Sequence, residues 1–187
     1  MIPLVGTSDD GASGGVRVGV TGHRSLAQVA RLREHVDSVL DRIGAASGAD
    51  LVAVSSLAEG ADRILAERVL ARGGSLIALL PMPADEYEAD FATARSRREF
   101  HDLLAAADRV VVIADPQQAP NQRPAAPEAR EAAYERAGLA VLDGSDVLVA
   151  LWDGQPSRGR GGTAELVAAA RARGHRVEVV DVERERA

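Results

Sequence analysis

The sequence predicts an α/β domain, a mostly parallel sheet of about six strands with helices on both faces. Three observations predict it. Short runs rich in Val, Ile and Leu recur along the chain and mostly lack polar alternation, as strands covered on both faces do. The segments between them carry apolar residues three or four apart, which is one face of a helix. The two patterns alternate, and strands joined through helices by right-handed crossovers make a parallel sheet. At 187 residues the chain has the size of one domain, with no internal repeat.

The elements follow in order. Residues 1–15 have no basic n-region and no long apolar stretch, so they read as a flexible leader rather than a signal peptide. The domain occupies 16–187. Residues 16–21 form the first strand, and 26–43 a helix whose face holds Val29, Leu32, Val36, Val39, Leu40 and Ile43. A second strand at 51–55 leads to a helix at 62–72, with Ile64, Leu65, Val69 and Leu70 on one face and Gly73-Gly74 as its stop. A third strand spans 75–80, and an interrupted or bent helical region runs from about 85 to 107. After a fourth strand at 109–114 comes DPQQAPNQRPAAP (115–127), with four of the eight prolines. This stretch is too Pro-rich for helix or central strand. It reads as a loop at the C-terminal end of that strand, either a lid or an insertion. A helix at 127–142, a strand at 147–152, a helix at 163–173 closed by Gly174, and a strand at 176–182 complete the domain.

Composition removes several classes of function. The chain holds 22 basic and 28 acidic side chains, for a net charge of −6. It also has only 3% aromatic residues. Both argue against a long nucleic acid as partner, which needs a basic groove and stacking rings. The absence of cysteine excludes a disulfide scaffold. The four histidines are scattered, so no metal site is predicted, and no motif calls for a resident cofactor. No run approaches the roughly 18–20 apolar residues of a membrane span. The expectation is a cytoplasmic protein with no membrane partner.

Three strand-to-helix junctions carry unusual residues, and parallel strands present all three on one edge. The first is Gly22-His23-Arg24-Ser25. Glycine lets backbone N–H groups approach a phosphate, a helix N-terminus adds its dipole, and Arg24 offers a bidentate fork. The plainer reading is a tight turn with Ser25 as N-cap. The second, Ser55-Ser56-Leu57-Ala58-Glu59-Gly60-Ala61-Asp62, sets two hydroxyls and two carboxylates where a ribose or base fits. It reads equally as a glycine turn with Asp62 complementing the helix dipole. The third runs from Asp153-Gly154 to Gly159-Arg160-Gly161-Gly162-Thr163, an acidic turn and then a glycine loop whose amides make an anion nest. Thr163 is the natural N-cap. Elsewhere, Arg95, Arg97 and Arg98 read as a solvated helix face, and Tyr87 and Phe91 as a packing pair. Trp152 is either a pocket wall or a core cap, and the acidic-basic C-terminus is a solvated tail.

Five segments together resemble the SLOG superfamily, the Rossmann-like group that joins DNA-processing protein A with the Lonely Guy phosphoribohydrolases. They are VGVTGHR (18–24), VSSLAEGADRILAE (54–67), GGSLIALLP (73–81), EYEADF (86–91) and SDVLVALWDGQPSRGRGGTAEL (145–166). The resemblance implies a nucleotide-derived ligand at the strand C-termini and a homo-oligomer. It implies that loops 22–25 and 159–163 surround phosphate and that the 55–62 turn lies beside sugar or base. The ligand residues so implied are Gly22, His23, Arg24, Ser55, Ser56, Gly60, Asp62, Asp153, Gly154, Gly161, Gly162 and Thr163.

The branches imply different chemistry. Similarity to DNA-processing protein A lies in VGVTGHR and VSSLAEGAD and implies single-stranded DNA, which the charge opposes. GRGGTAEL is similar to the PGGxGTxxE loop of the phosphoribohydrolases, which cleave the N-glycosidic bond of nucleoside 5′-monophosphates. Here the family glutamate position is Leu166, and Glu165 stands one residue early, a rotation of about 100° on a helix. No counterpart of the family arginine motif is present. Were the chain such an enzyme, Glu165 and Glu59 are the candidate catalytic carboxylates, with Asp62 or Asp153 as substitutes. The closest similarity is to stand-alone SLOG proteins thought to sense or process nucleotide signals, some in bacterial conflict systems.

Overall fold

The computed structural model describes residues 14–114, 127–156 and 161–183. Most of the leader, the Pro-rich stretch 115–126, Gly159 and Arg160 of the glycine loop, and the last residues of the tail lie outside the described residues. The strands are β1 (Val16–Gly22), β2 (Leu51–Ser55), β3 (Ser75–Leu80), β4 (Arg109–Val112), β5 (Val147–Trp152) and β6 (Arg176–Asp181). The helices are α1 (Val29–Ser47), α2 (Ala61–Leu70), α3 (Ala84–Tyr87), α4 (Ala94–Ala106), α5 (Pro127–Asp143) and α6 (Thr163–Ala172).

All six strands are parallel, in the order β4-β3-β2-β1-β5-β6. The inner strands β1, β2, β3 and β5 are largely apolar and covered on both sides, while the edge strands β4 and β6 are mostly exposed. Val18, Val20, Ala53, Leu76, Ala78, Leu80, Val149 and Leu151 form one core with the buried faces of α1, α2 and α4. On the reverse side Leu148 packs with Leu142 of α5 and Ala170 of α6. Each fully buried aliphatic side chain contributes about 1.5–3 kcal/mol. The predicted α/β architecture, with helices on two faces, is therefore the observed one.

Two local expectations need correction. Helix α1 starts at Val29, not residue 26, so Ser25 is not its cap; Gln28 precedes it with φ 54° and no side-chain capping bond, its amide donating instead to the Glu183 carboxylate (3.4 Å). The chain from His23 to Gln28 first runs across the sheet edge, where the Ala27 N–H donates to the Glu183 carbonyl (3.3 Å). Helix α6 takes Gly162 as its cap residue, and Thr163 is its first helical residue, with a buried side chain. The bent region expected before β4 is α3, a 3₁₀ turn at Glu88–Asp90, and α4. There the Thr93 hydroxyl caps α4 by accepting from the Ser96 N–H (3.0 Å). Among the described residues no helix is long and apolar enough to cross a membrane.

Candidate functional site

The chain leaves β1 toward β2 on one side and returns through β5 and β6 on the other, so the strand order reverses between β1 and β5. Open α/β sheets bind ligands in the crevice outside the strand C-termini at such a reversal. Gly22 and Leu151 are register partners across it, and the His23 N–H donates to the Leu151 carbonyl (3.3 Å). His23 Nε2 lies 3.0 Å from Asp153 Oδ1, with the two side chains 14% and 16% exposed. The same Asp153 oxygen accepts from the Gln155 N–H (3.1 Å), closing the turn that Gly154 makes at φ 74°. Trp152 belongs to that turn, its indole N–H donating to the Gln155 carbonyl (2.8 Å).

The β2–α2 turn is locked against the first junction. The Ala61 N–H donates to the His23 carbonyl (3.2 Å). Gly60 sits at φ 80°, and a Cβ there would stand 2.3 Å from the His23 carbonyl oxygen and 2.4 Å from that of Arg24. Asp62 points inward, only 8% exposed. Its Oδ2 accepts from the Ser56 N–H (3.1 Å) and lies 3.3 Å from the Ser55 hydroxyl. The Ser55 oxygen in turn accepts from the Leu57 N–H (3.0 Å). Burial pushes the Asp62 carboxyl up to about 6, against hydrogen bonds from Ala58, Ser55 and Ser56 and the charge of Arg24. Ser55, Ser56 and Asp62 are thus brought together, and their first partners are one another.

The two carboxylates named as catalytic candidates bind different elements. Glu59 accepts from the Ser96 hydroxyl on α4. It belongs to a cluster in which buried Arg63 donates to the Leu57 carbonyl (3.1 Å) and to Ser96 (2.8 and 2.9 Å), with its guanidinium 4.4 Å from the Phe91 ring centre. Glu165 is exposed and accepts the Gly161 N–H (2.6 Å), while Leu166 turns into the core. The carboxylate therefore occupies one amide of the glycine loop.

A further group at this edge was not singled out from the sequence. The Arg24 guanidinium lies 5.2 Å from the centre of the Tyr134 ring on α5. The Tyr134 hydroxyl donates to Asp90, and Arg130 bridges Glu86 (2.9 Å) and Asp90 (2.7 Å). Tyr87 packs edge-on to Phe91 (5.0 Å) and Phe100 (5.7 Å) and lies 6.2 Å from Tyr134. The pairing read for Tyr87 and Phe91 is the one observed. Four of the chain's five aromatic residues meet here. The only signals in the sequence were the i,i+4 spacings Glu86–Asp90 and Arg130–Tyr134.

Arg95 and Arg98 are exposed, as expected of a solvated helix face, while Arg97 donates to the Phe91 carbonyl (2.6 Å). A groove of about 400 Å³ runs between α1 and β6, lined by Arg31, Leu32, His35, Val180 and Val182 among others, and holds none of the candidate site residues. Among the described residues no three His, Cys, Asp or Glu side chains are grouped to hold a metal ion.

No protein-family model and no curated protein matches the chain. Solved structures do. The X-ray structure of DNA processing protein A from Streptococcus pneumoniae aligns with a TM-score of 0.59 and 18% identity, over 88% of this chain and 50% of that one. This chain thus spans about half the length of that protein. Two others align less well. A structural-genomics target, TM1055, has a TM-score of 0.49 and 18% identity over 87% of this chain and 72% of that one. The Moco carrier protein from Chlamydomonas reinhardtii has 0.47 and 21% over 89% and 76%. The first likeness is one of fold, and at that level the expected Rossmann-like architecture is met.

Proposed function

We propose that this chain binds a nucleotide-derived small molecule at the C-terminal edge of its sheet, with the phosphate taken at the β1–α1 junction. One observation carries the reading. Of the arginines described at this edge, Arg63 and Arg130 are paired with carboxylates, whereas Arg24 has no ion pair among the described residues and remains exposed. An unpaired guanidinium beside the strand-order reversal is the group a phosphate needs. His23, paired with Asp153 across the crevice, and the turn at 55–62 lie next to it, where a sugar or base has hydrogen-bonding groups to meet.

The pneumococcal neighbour is named for DNA processing, but the ligand proposed here is small. A strand path needs basic and aromatic surface. This chain carries a net charge of −6 and buries its aromatic cluster, with Tyr87, Phe91 and Phe100 at most 1% exposed. Local positive character comes instead from one arginine and from backbone amides.

The test is a thermal-shift panel of AMP, ADP, a cyclic dinucleotide and ADP-ribose. A ligand at 100 times its Kd stabilises by about 2.7 kcal/mol, which for a domain of this size raises Tm by roughly 5–10 °C. The expected result is a shift with at least one member that disappears in Arg24→Ala. No shift with any member, or an Arg24→Ala variant that responds like the parent, overturns the reading.

A further inference from the structure

Arg24 is exposed, yet its guanidinium rests on an aromatic face 5.2 Å away. An arginine left in water samples many rotamers, and a bidentate phosphate contact needs one of them. The surface beneath Arg24 is itself fixed. Tyr134 is tied through its hydroxyl to Asp90, Asp90 to Arg130 (2.7 Å), and Arg130 to Glu86 (2.9 Å). The carboxylates that would otherwise compete for Arg24 are engaged elsewhere. Asp90 serves Tyr134 and Arg130, Asp153 serves His23 and Gln155, and Asp62 serves its own turn. The guanidinium thus rests on the Tyr134 side chain, and the Asp90 and Asp62 carboxylates act on its charge without forming an ion pair with it among the described residues.

We propose that Tyr134, clamped by Asp90 and Arg130, is a positioning residue that presents Arg24 as a fork for the pyrophosphate or terminal phosphate of the ligand. This rests on the reading that the ligand is a phosphate-bearing molecule held at this edge. It brings α5 into the site, although the helix holds none of the residues the glycine junctions suggested.

Calorimetric titration of the full chain with inorganic pyrophosphate and with ADP tests it in four variants. A cation–π contact gives about 0.5–2 kcal/mol, so Tyr134→Leu is expected to bind about tenfold more weakly. Tyr134→Phe keeps the ring but loses the tie to Asp90, and Asp90→Asn weakens that tie. Both are expected to lose about threefold. In NMR spectra the Arg24 Nε–H signal is expected to sharpen with pyrophosphate in the parent and in Tyr134→Phe, but not in Tyr134→Leu. Purely structural damage does not produce that graded order in protein that remains folded. If Tyr134→Leu binds pyrophosphate as tightly as the parent while Arg24→Ala does not bind, the positioning role is wrong and the ligand reading stands. If Tyr134→Leu fails to fold, unchanged affinity in Asp90→Asn overturns the role just as well. If the parent binds neither probe, the positioning of Arg24 for a pyrophosphate or terminal phosphate is wrong, and the thermal-shift panel decides the ligand reading separately.

Discussion

Two junctions that look alike in sequence differ in the folded chain. The β1–α1 junction and the loop before α6 each set glycine and a basic residue between a strand and a helix. The first is held by its neighbours: Ala61 and Leu151 fix the backbone of His23, and Gly60 fits beneath the carbonyls of His23 and Arg24. Its arginine is left without a carboxylate partner among the described residues. The second closes on itself, because the Glu165 carboxylate takes the Gly161 N–H (2.6 Å) and acts as the helix's own anion. A glycine loop offers an amide to an outside anion only where its own side chains leave that amide open.

The interlock under the first junction gives the largest expected effect. Gly60→Ala demands a left-handed φ and puts a methyl group within 2.4 Å of two carbonyl oxygens that cannot move separately. The strain and the clash together are expected to cost more than about 3 kcal/mol. Gly154→Ala, at φ 74° but facing open space, is expected to cost only about 1 kcal/mol. Urea denaturation of both variants measures the gap. Equal losses would mean that the β2–α2 turn is not locked against the β1–α1 junction.

Arg24→Ala comes next. It is expected to weaken ADP or pyrophosphate by about 2 kcal/mol, roughly thirtyfold, with little change in Tm because the side chain is exposed. Affinity retained in that variant would move the anion away from the first junction and erase the contrast with the second.

Much of this was legible in the sequence and some was not, for physical reasons. Strands covered on both faces read as unbroken apolar runs, so β1, β2, β3 and β5 stand where the Val, Ile and Leu runs put them. Tyr87 and Phe91 were legible as a pair from their spacing of four, although the turn between them is 3₁₀ rather than α-helical. The late start of α1 was not, since it depends on a bond to Glu183, far along the chain. The clamp on Tyr134 was hidden for the same reason: its partners Glu86 and Asp90 lie 40 or more residues from Arg130 and Tyr134. Thr163 was misread as a cap because the loop it follows is capped by Glu165 from inside the helix.

A smaller effect concerns the buried carboxyl beneath the first junction. Burial raises the Asp62 carboxyl to about 6 from a usual 3.8. The folded chain therefore holds this proton more tightly than the unfolded chain. That contribution is complete at low pH and is lost as pH rises through about 6. Asp62→Asn keeps an oxygen for the Ser56 N–H and cannot ionise. Its stability relative to the parent is expected to rise by about 1 kcal/mol between roughly pH 5 and pH 8. A difference independent of pH would show that Asp62 is ionised at no cost.

The smallest effect is the one that separates the two junctions most directly. Glu165→Ala frees the Gly161 amide and removes an exposed capping bond, at an expected cost of about 0.5–1 kcal/mol in stability. If the anion sits at Arg24, the affinity for pyrophosphate changes by no more than about twofold, because the emptied nest is weak on its own. An increase of about tenfold would mean that Glu165 had been excluding the phosphate and that both junctions grip it. Loss of binding would mean that the carboxylate reaches the ligand, which its bond to its own loop argues against. Titrating Glu165→Ala beside Arg24→Ala with the same probe thus decides whether the sheet edge has one anion-binding junction or two.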